Sequence, residues 1–300
     1  MFRLEKELTK PLCFFAYISL LMIASIPSLV NAKDIVIVNV GESPQDNRIF
    51  FKNELVKLAL EITKETYGEY EIVENSQRMN ISRAFRELEK GENLTLTFAH
   101  TREEFEQKAL VVRVPLRRGI DAFRLLVVKK GQEKNFSNIK SLEELKPFKV
   151  GLSPNWSTYK IMQENGFDIV DSPNYATMLK MLERGRFDFV PRALNEVYDE
   201  LKRYQAVSDG LVVVPDIALY IPSVSFMFVS PKEPRIFQRL NSGLHAMSIN
   251  GQLQDLLDKY HRDSVLKAKI QNRHIITLEH SEFPVFIPHE PLLKECDCAK

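Results

Sequence analysis

Ile35-Val36-Ile37-Val38-Asn39-Val40 is a short apolar run rich in β-branched residues, with the length of one strand, and reads as a buried strand. From it an alternation extends to Phe98. A polar loop, Gly41 to Arg48 with Pro44 and Asp46, leads into helical spacing over Phe50 to Thr66, with Phe51, Leu55, Leu58, Ala59 and Ile62 on the apolar face. Tyr70–Val73 reads as a second strand. Ile81, Ala84, Phe85 and Leu88 mark a second helix that stops at Gly91. Leu94–Phe98 is a third strand. Strand, helix, strand, helix, strand is the pattern of a parallel sheet with crossover helices.

The rhythm repeats further on. Leu125–Val128, Phe148–Leu152, Ile169-Val170 and Phe187–Val190 read as strands. Helices are expected from about Trp156 to Asn165, from Ala176 to Arg184 and from Arg192 to Tyr204, the first two ended by Gly166 and Gly185. Ser141-Leu142-Glu143-Glu144 has the form of a helix-initiating capping box. This second α/β unit covers about residues 128–213. Ser223–Val229 returns to strand. Pro234 to Tyr260 returns to helix, with Leu240, Leu244, Met247, Leu253 and Leu257 at helical spacing. The last forty residues, with Pro284, Pro288 and Pro291, read as a wrapping tail.

The N-terminus reads as an address. Arg3, Lys6 and Lys10 precede an apolar run from Leu12 to Val30, which exits through Pro27 and Val30-Asn31-Ala32. A basic head, an apolar middle and a small-residue exit describe a secretory signal peptide, with cleavage expected after Ala32 and a periplasmic destination. An uncleaved anchor is the alternative, since the run is nearly long enough to span a bilayer. Cys13 would leave with the signal. Cys296 and Cys298 would form a small strained disulfide or pair with another molecule. With His289 they are too few for a metal site.

The whole chain has 300 residues, with 41 Lys+Arg against 40 Asp+Glu. Three of those bases and two of the acids fall in the first 32 residues, so the rest is formally neutral. Neutrality argues against a broad nucleic-acid surface, which needs a basic excess to displace counterions. An apolar fraction of 44% and a charged fraction of 27% are globular values, and they exclude collagen-like and disulfide-scaffold classes. The chain carries no Gly-x-Ser-x-Gly elbow, His-Glu-x-x-His, phosphate loop or dinucleotide fingerprint. No catalytic residue, metal site or cofactor is therefore assigned. An exported hydrolase with a scattered carboxylate pair is the enzyme alternative.

Several stretches carry a resemblance. Ser76-Gln77-Arg78 precedes Ala84-Phe85-Arg86-Glu87-Leu88 and Gly91. Thr101-Arg102-Glu103 forms a turn after the third strand. Val150-Gly151 is followed by Ser157-Thr158. Met181-Leu182 leads to Gly185-Arg186-Phe187-Asp188-Phe189-Val190. In this order they resemble the type-2 periplasmic solute-binding proteins, the amino-acid-binding receptors of ABC transporters in particular, over about residues 33–265. The resemblance implies an α/β fold of two lobes, each a mixed, mostly parallel sheet flanked by helices, with the ligand cleft between them. It implies a signal at residues 1–32, a first lobe of residues 33–123 and 223–265, a second lobe of 124–222, and a tail of 266–300. It places the two crossing segments near Phe123–Val127 and Ser223–Phe228. It implies a monomer that hands a small-molecule ligand to an inner-membrane permease or sensor. The alternative is an orphan sensory member without a transporter.

Candidate ligand residues follow from the resemblance and from charge. Ser157 and Thr158 open a helix after a strand. The unpaired N–H groups there attract anions, and the family holds a ligand carboxylate at that place; alternatively one of them is only the helix N-cap. Trp156, the one Trp, either stacks on the ligand or packs the lobe edge. Arg102 has a planar fork suited to a carboxylate, or pairs with Glu103–Glu106. Arg78 follows the second strand with similar standing. Asp46 and Arg48 read as solvated. Arg113, Arg117, Arg118 and Arg124 form a basic cluster that is either a solvated face or a source of positive potential in the cleft.

Amino-acid receptors place an ammonium-binding carboxylate shortly after the strand matching Phe187–Val190. Here Pro191-Arg192-Ala193-Leu194-Asn195-Glu196 follows, and Arg192, Asn195 and Glu196 are the candidates. A cation at Arg192 would repel an ammonium group and favour an acid or a polar acceptor. The alternative is that Arg192 pairs with Glu196 one turn on.

Overall fold

The computed structural model describes residues 33–41, 48–173 and 175–281. The expected signal, residues 42–47 and both C-terminal cysteines lie outside them. Among the described residues no helix is long and apolar enough to cross a membrane.

Strand β1 (Asp34–Val38) is followed by helices α1 (Arg48–Ile62) and α2 (Lys64–Tyr67), then by β2 (Tyr70–Glu74), which pairs with β1 in parallel. Helix α3 (Ile81–Lys90) leads to β3 (Leu96–His100), α4 (Glu103–Lys108) and β4 (Leu110–Val112). Local chemistry sets the ends of α3. The Asn80 side chain accepts from the Arg83 N–H, and Gly91 closes the helix at φ +73°, a conformation that suits glycine. Thr95 ties β1 to the start of β3. Its N–H donates to Ile37 O at 2.9 Å, and its hydroxyl accepts from the Ile37 N–H at 2.9 Å.

The chain then leaves this sheet. A 3₁₀ turn (Ile120–Ala122) feeds β5 (Phe123–Lys129), which belongs to a second sheet. After α5 (Leu142–Leu145) come β6 (Val150–Leu152), α6 (Ser157–Glu164), β7 (Ile169–Asp171), α7 (Tyr175–Glu183), β8 (Phe189–Ala193), α8 (Leu194–Tyr204) and β9 (Leu211–Tyr220). Strand β10 (Ser225–Val229) returns to the first lobe, antiparallel to both β3 and β4. The resulting three-stranded sheet, β3-β10-β4, lies beside the two-stranded β1-β2 sheet, and the two together are called the first sheet. Helices α9 (Pro234–Asn250) and α10 (Gln252–Ala268) follow, broken at Gly251 by φ +89°. The last described strand, β11 (His274–Thr277), pairs in parallel with β9. The second sheet therefore runs β11-β9-β5-β8-β6-β7, with β5 antiparallel to both of its neighbours.

The passages between sheets are residues 113–122 and 221–224. The first falls earlier than Phe123–Val127, because that apolar run is buried on both faces as a central strand. Leu126 and Val128 pack against α6, while Leu125 and Val127 pack against α7 and α8. Residues 270–278, within the segment read as a tail, hold a 3₁₀ turn and β11; Ile276 and Leu278 are buried there. A four-residue strand is too short for period-2 alternation to declare itself.

The first sheet is also covered twice. Helices α1, α9 and α10 cover one face, burying Phe51, Leu55, Leu240 and Leu244. Helices α3 and α4 cover the other through Phe85, Leu88 and Phe105. On α1 the buried stripe is Phe51, Leu55, Val56, Ala59 and Leu60, while Ile62 is 39% exposed. The stripe is turned by close contact with α9: a Cβ on Gly243 would lie 2.2 Å from Ala59 O. Gly243→Ala should therefore push α1 and α9 apart. It should cost about 1–3 kcal/mol in denaturant unfolding. An unchanged midpoint would mean that α1 shifts freely.

Candidate functional site

The loops at the carboxyl ends of β3, β6 and β8 face one another across the two sheets, and between them lies a cavity of about 160 Å³. The first lobe contributes Arg48 and Lys52 from the start of α1, with His100 and Arg102 from the end of β3. The second contributes Arg124 from β5, Trp156, Ser157 and Thr158 at the N-terminus of α6, and Arg192 and Glu196. Among the described residues, five Arg and Lys side chains and one carboxylate line this space. A narrow void of about 10 Å³ shares His100, Arg102, Arg124, Ser157 and Thr158 with it. On the other side of Arg102 and Ser157 the cleft opens again, to about 420 Å³, between α4, α6 and His280.

Six of the eight expected site residues are brought together here: Arg102, Trp156, Ser157, Thr158, Arg192 and Glu196. Two are not. Arg78 is exposed and donates to Val40 O at 2.9 Å, so its charge is spent on the backbone beside β1. Asn195 is buried outside the lining, and its Oδ1 has no hydrogen-bond partner. Arg48, expected in solvent, reaches the cavity because α1 starts at its rim.

Arg192 differs most from expectation. Its side chain is 9% exposed and pairs with Glu196 at 2.8 Å and with Glu200, whose Oε2 accepts from Nε at 2.8 Å. Its guanidinium also lies over Trp156 at 4.4 Å and Tyr175 at 5.0 Å from the ring centroids. Two carboxylates around one cation leave the cluster negative, so Arg192 does not present a free charge to a ligand. Glu196 is the acid of this cluster that reaches the cavity. Burial pushes its carboxyl up, but Arg192, then Arg48, Arg124 and Arg117, hold it down at about 2, so it is ionised at neutral pH. Glu200 carries no signal in the sequence, because it meets Arg192 only once β8 turns into α8.

His100 and Arg124 were not among the expected site residues. Burial pushes the His100 imidazole down to about 4 against the pull of Asp121, so it is neutral at pH 7. Its Nε2 lies 3.5 Å from Arg124 Nη2, and its Nδ1 lies 3.4 Å from Ser225 Oγ. Ser225 Oγ in turn donates to Asp121 Oδ2 at 2.5 Å. Arg124 is 6% exposed, and its Nε has no hydrogen-bond partner. Arg117, equally buried, lies instead over the Phe51 ring at 5.2 Å and outside the cavity. Among the described residues no group of His, Cys, Asp and Glu has the arrangement of a metal site.

No protein-family model matches the sequence, and neither does any curated protein. Solved structures do resemble it. An ancestral arginine-binding protein bound to arginine superposes with a TM-score of 0.55 at 21% identity, over 76% of this chain and 98% of that one. The periplasmic VFT2 domain of Bordetella pertussis BvgS superposes with a TM-score of 0.54 at 16% identity, over 75% and 93%. A structure from work on glutathione import via GshT and the cystine ABC importer TcyBC of Streptococcus mutans gives 0.56 at 16% identity, over 76% and 95%. At these identities the likeness is one of fold. The chain has the two-lobed fold of the type II periplasmic solute-binding proteins.

Proposed function

We propose that the chain is an exported solute-binding protein. It captures a small polar, anionic or amino-acid-like solute between the lobes and closes on it by hinge motion, for transport or sensing. The observation that carries this reading is the cationic lining of the interlobe cavity around the N-terminus of α6. The ionised Glu196 adds an acceptor for a cationic group, which keeps amino-acid-like solutes within the reading. The fold's occurrence in an arginine-bound protein and in a structure from work on a cystine ABC importer supports the transport use, with an inner-membrane permease as partner; a sensor is the alternative partner. Export, with a signal removed after Ala32, belongs to the same reading.

A thermal-shift screen of amino acids, organic acids and sugars tests it. A bound solute at a hundred times its Kd should stabilise the protein by about 2.7 kcal/mol. The single Trp, Trp156, sits in the cavity wall, so binding should also change the intrinsic fluorescence. Trp156→Phe should abolish that signal and keep the thermal shift. If no solute raised the melting temperature, the receptor reading would fail.

A further inference from the structure

Arg124 is a buried cation, and among the described residues it makes no ion pair. A buried guanidinium with no ion pair is costly, because burial penalises its charge. Burial pushes its pKa down and outweighs Glu196 and Asp121, which favour its charge from a distance. Asp121 accepts from Ser225, Glu196 pairs with Arg192, and His100 is neutral beside it. A second donor in the same place is unsatisfied as well: Ser223 Oγ, from the passage between β9 and β10, is buried and has no partner, and it lines the 10 Å³ void together with Arg124. A third source of donors is the N-terminus of α6. Its N-cap is Trp156, whose side chain makes no capping hydrogen bond. These three groups come from three separate segments and converge at the inner end of one cavity.

We infer that this inner end is an oxyanion site, and that the ligand's anionic group is a phosphoryl group rather than a carboxylate. This rests on the solute-binding reading above. One carboxylate carries a single charge on two oxygens, and Arg102 with the α6 N-terminus already matches it. The further buried charge of Arg124 and the Ser223 hydroxyl call for more charge and a third oxygen. A phosphoryl group supplies both, at about −1.5 to −2 near neutral pH. Arg48 and Lys52 at the rim add positive potential along the approach. The phosphoryl group is that of free phosphate or of a small phosphomonoester.

Calorimetry and thermal shift with inorganic phosphate, glycerol 3-phosphate, glycerate and succinate decide the matter. Phosphate or glycerol 3-phosphate should bind saturably, and more tightly than either carboxylate. Binding of phosphate alone identifies the free ion, and binding of glycerol 3-phosphate alone identifies the ester. Arg124→Leu should weaken this binding about tenfold or more. It should leave the ligand-free melting temperature unchanged or raised, which a purely structural arginine would not do. Ser223→Ala should weaken binding about threefold or more, on an intact fold. Tight carboxylate or amino-acid binding with no phosphate binding would overturn the phosphoryl inference and leave the receptor reading standing. Binding of no solute at all would overturn both. Undiminished phosphate binding by Arg124→Leu and Ser223→Ala, or a large drop in the ligand-free melting temperature of Arg124→Leu, would also overturn the inference.

Discussion

Arg239→Leu should cost about 3–5 kcal/mol of folding stability and lower the melting temperature by about 10 °C. Arg239 lies on α9 and is 0% exposed. Its guanidinium donates to Asp34 Oδ2 at 2.8 Å, to Thr63 Oγ1 at 3.2 Å, and to the carbonyls of Leu60 at 3.1 Å and Gly68 at 2.8 Å. It thereby joins the first strand, the end of α1 and the α2–β2 turn to a helix almost two hundred residues further along the chain. Leucine would fill much of the volume and satisfy none of these acceptors. Asp34, itself 7% exposed, would keep only Arg235 at 3.1 Å. The penalty arises because one partner of a buried pair is removed and the other stays charged. Asp34→Asn combined with Arg239→Leu should therefore cost less than the two single losses added together. Urea unfolding of the three variants checks this, and strict additivity would show that the pair is not coupled.

The second large effect concerns Arg192→Leu, which should cost a similar 3–5 kcal/mol at pH 7. Glu196 and Glu200 would be left facing each other in a buried site, with their shared cation gone. The effect should depend on pH with a definite sign. In the intact protein the folded Glu196 carboxyl titrates at about 2, against 4.5 for an unperturbed glutamate. Its contribution is therefore fully present above pH 4.5 and lost as the pH falls toward 2. Without Arg192, burial would act with its main opponent removed, and the Glu196 pKa should rise. The variant should then gain stability relative to the intact protein as the pH falls from 7 toward 5. Melting temperatures measured across that range test it. A constant difference between the two proteins would mean that Arg192 does not set the Glu196 charge.

Much of the fold is legible in short stretches. Ile35–Val38 and Phe187–Val190 declare strands because short runs rich in β-branched and aromatic residues favour extended backbone, although Ile35 is 53% exposed and only one face of β1 is fully buried. Gly91, Gly166 and Gly185 mark helix ends because each takes a positive φ. What was missed follows from the same physics. Strand β9 is interrupted by Pro215 and Asp216, and its alternation breaks there. On α1, Val56 and Leu60 displace Ile62 from the core because α9 approaches so closely at Gly243, and nothing in residues 48–62 encodes where α9 will lie.

The N-terminus of α6 was legible as a helix start at the cleft, since a strand, a loop and a hydroxyl-bearing helix start are contiguous in the chain. The charges around it were not. Arg102 and Arg192 read alike in sequence, as cations near strand ends. The folded chain gives Arg192 two carboxylates and two aromatic faces, while the acid of its cluster that reaches the cavity is Glu196. Arg124 read as one of four bases that were either a solvated face or a source of positive potential in the cleft, and β5 carries it into the floor of the cleft beside His100, Ser223 and α6. Most strands and helix starts follow from local sequence, because strand and helix formation rest on residues a few positions apart. Which charges are neutralised and which face the cavity depends on the folded chain, because a charge is compensated by whatever lies within a few ångströms, and those partners arrive from distant parts of the sequence.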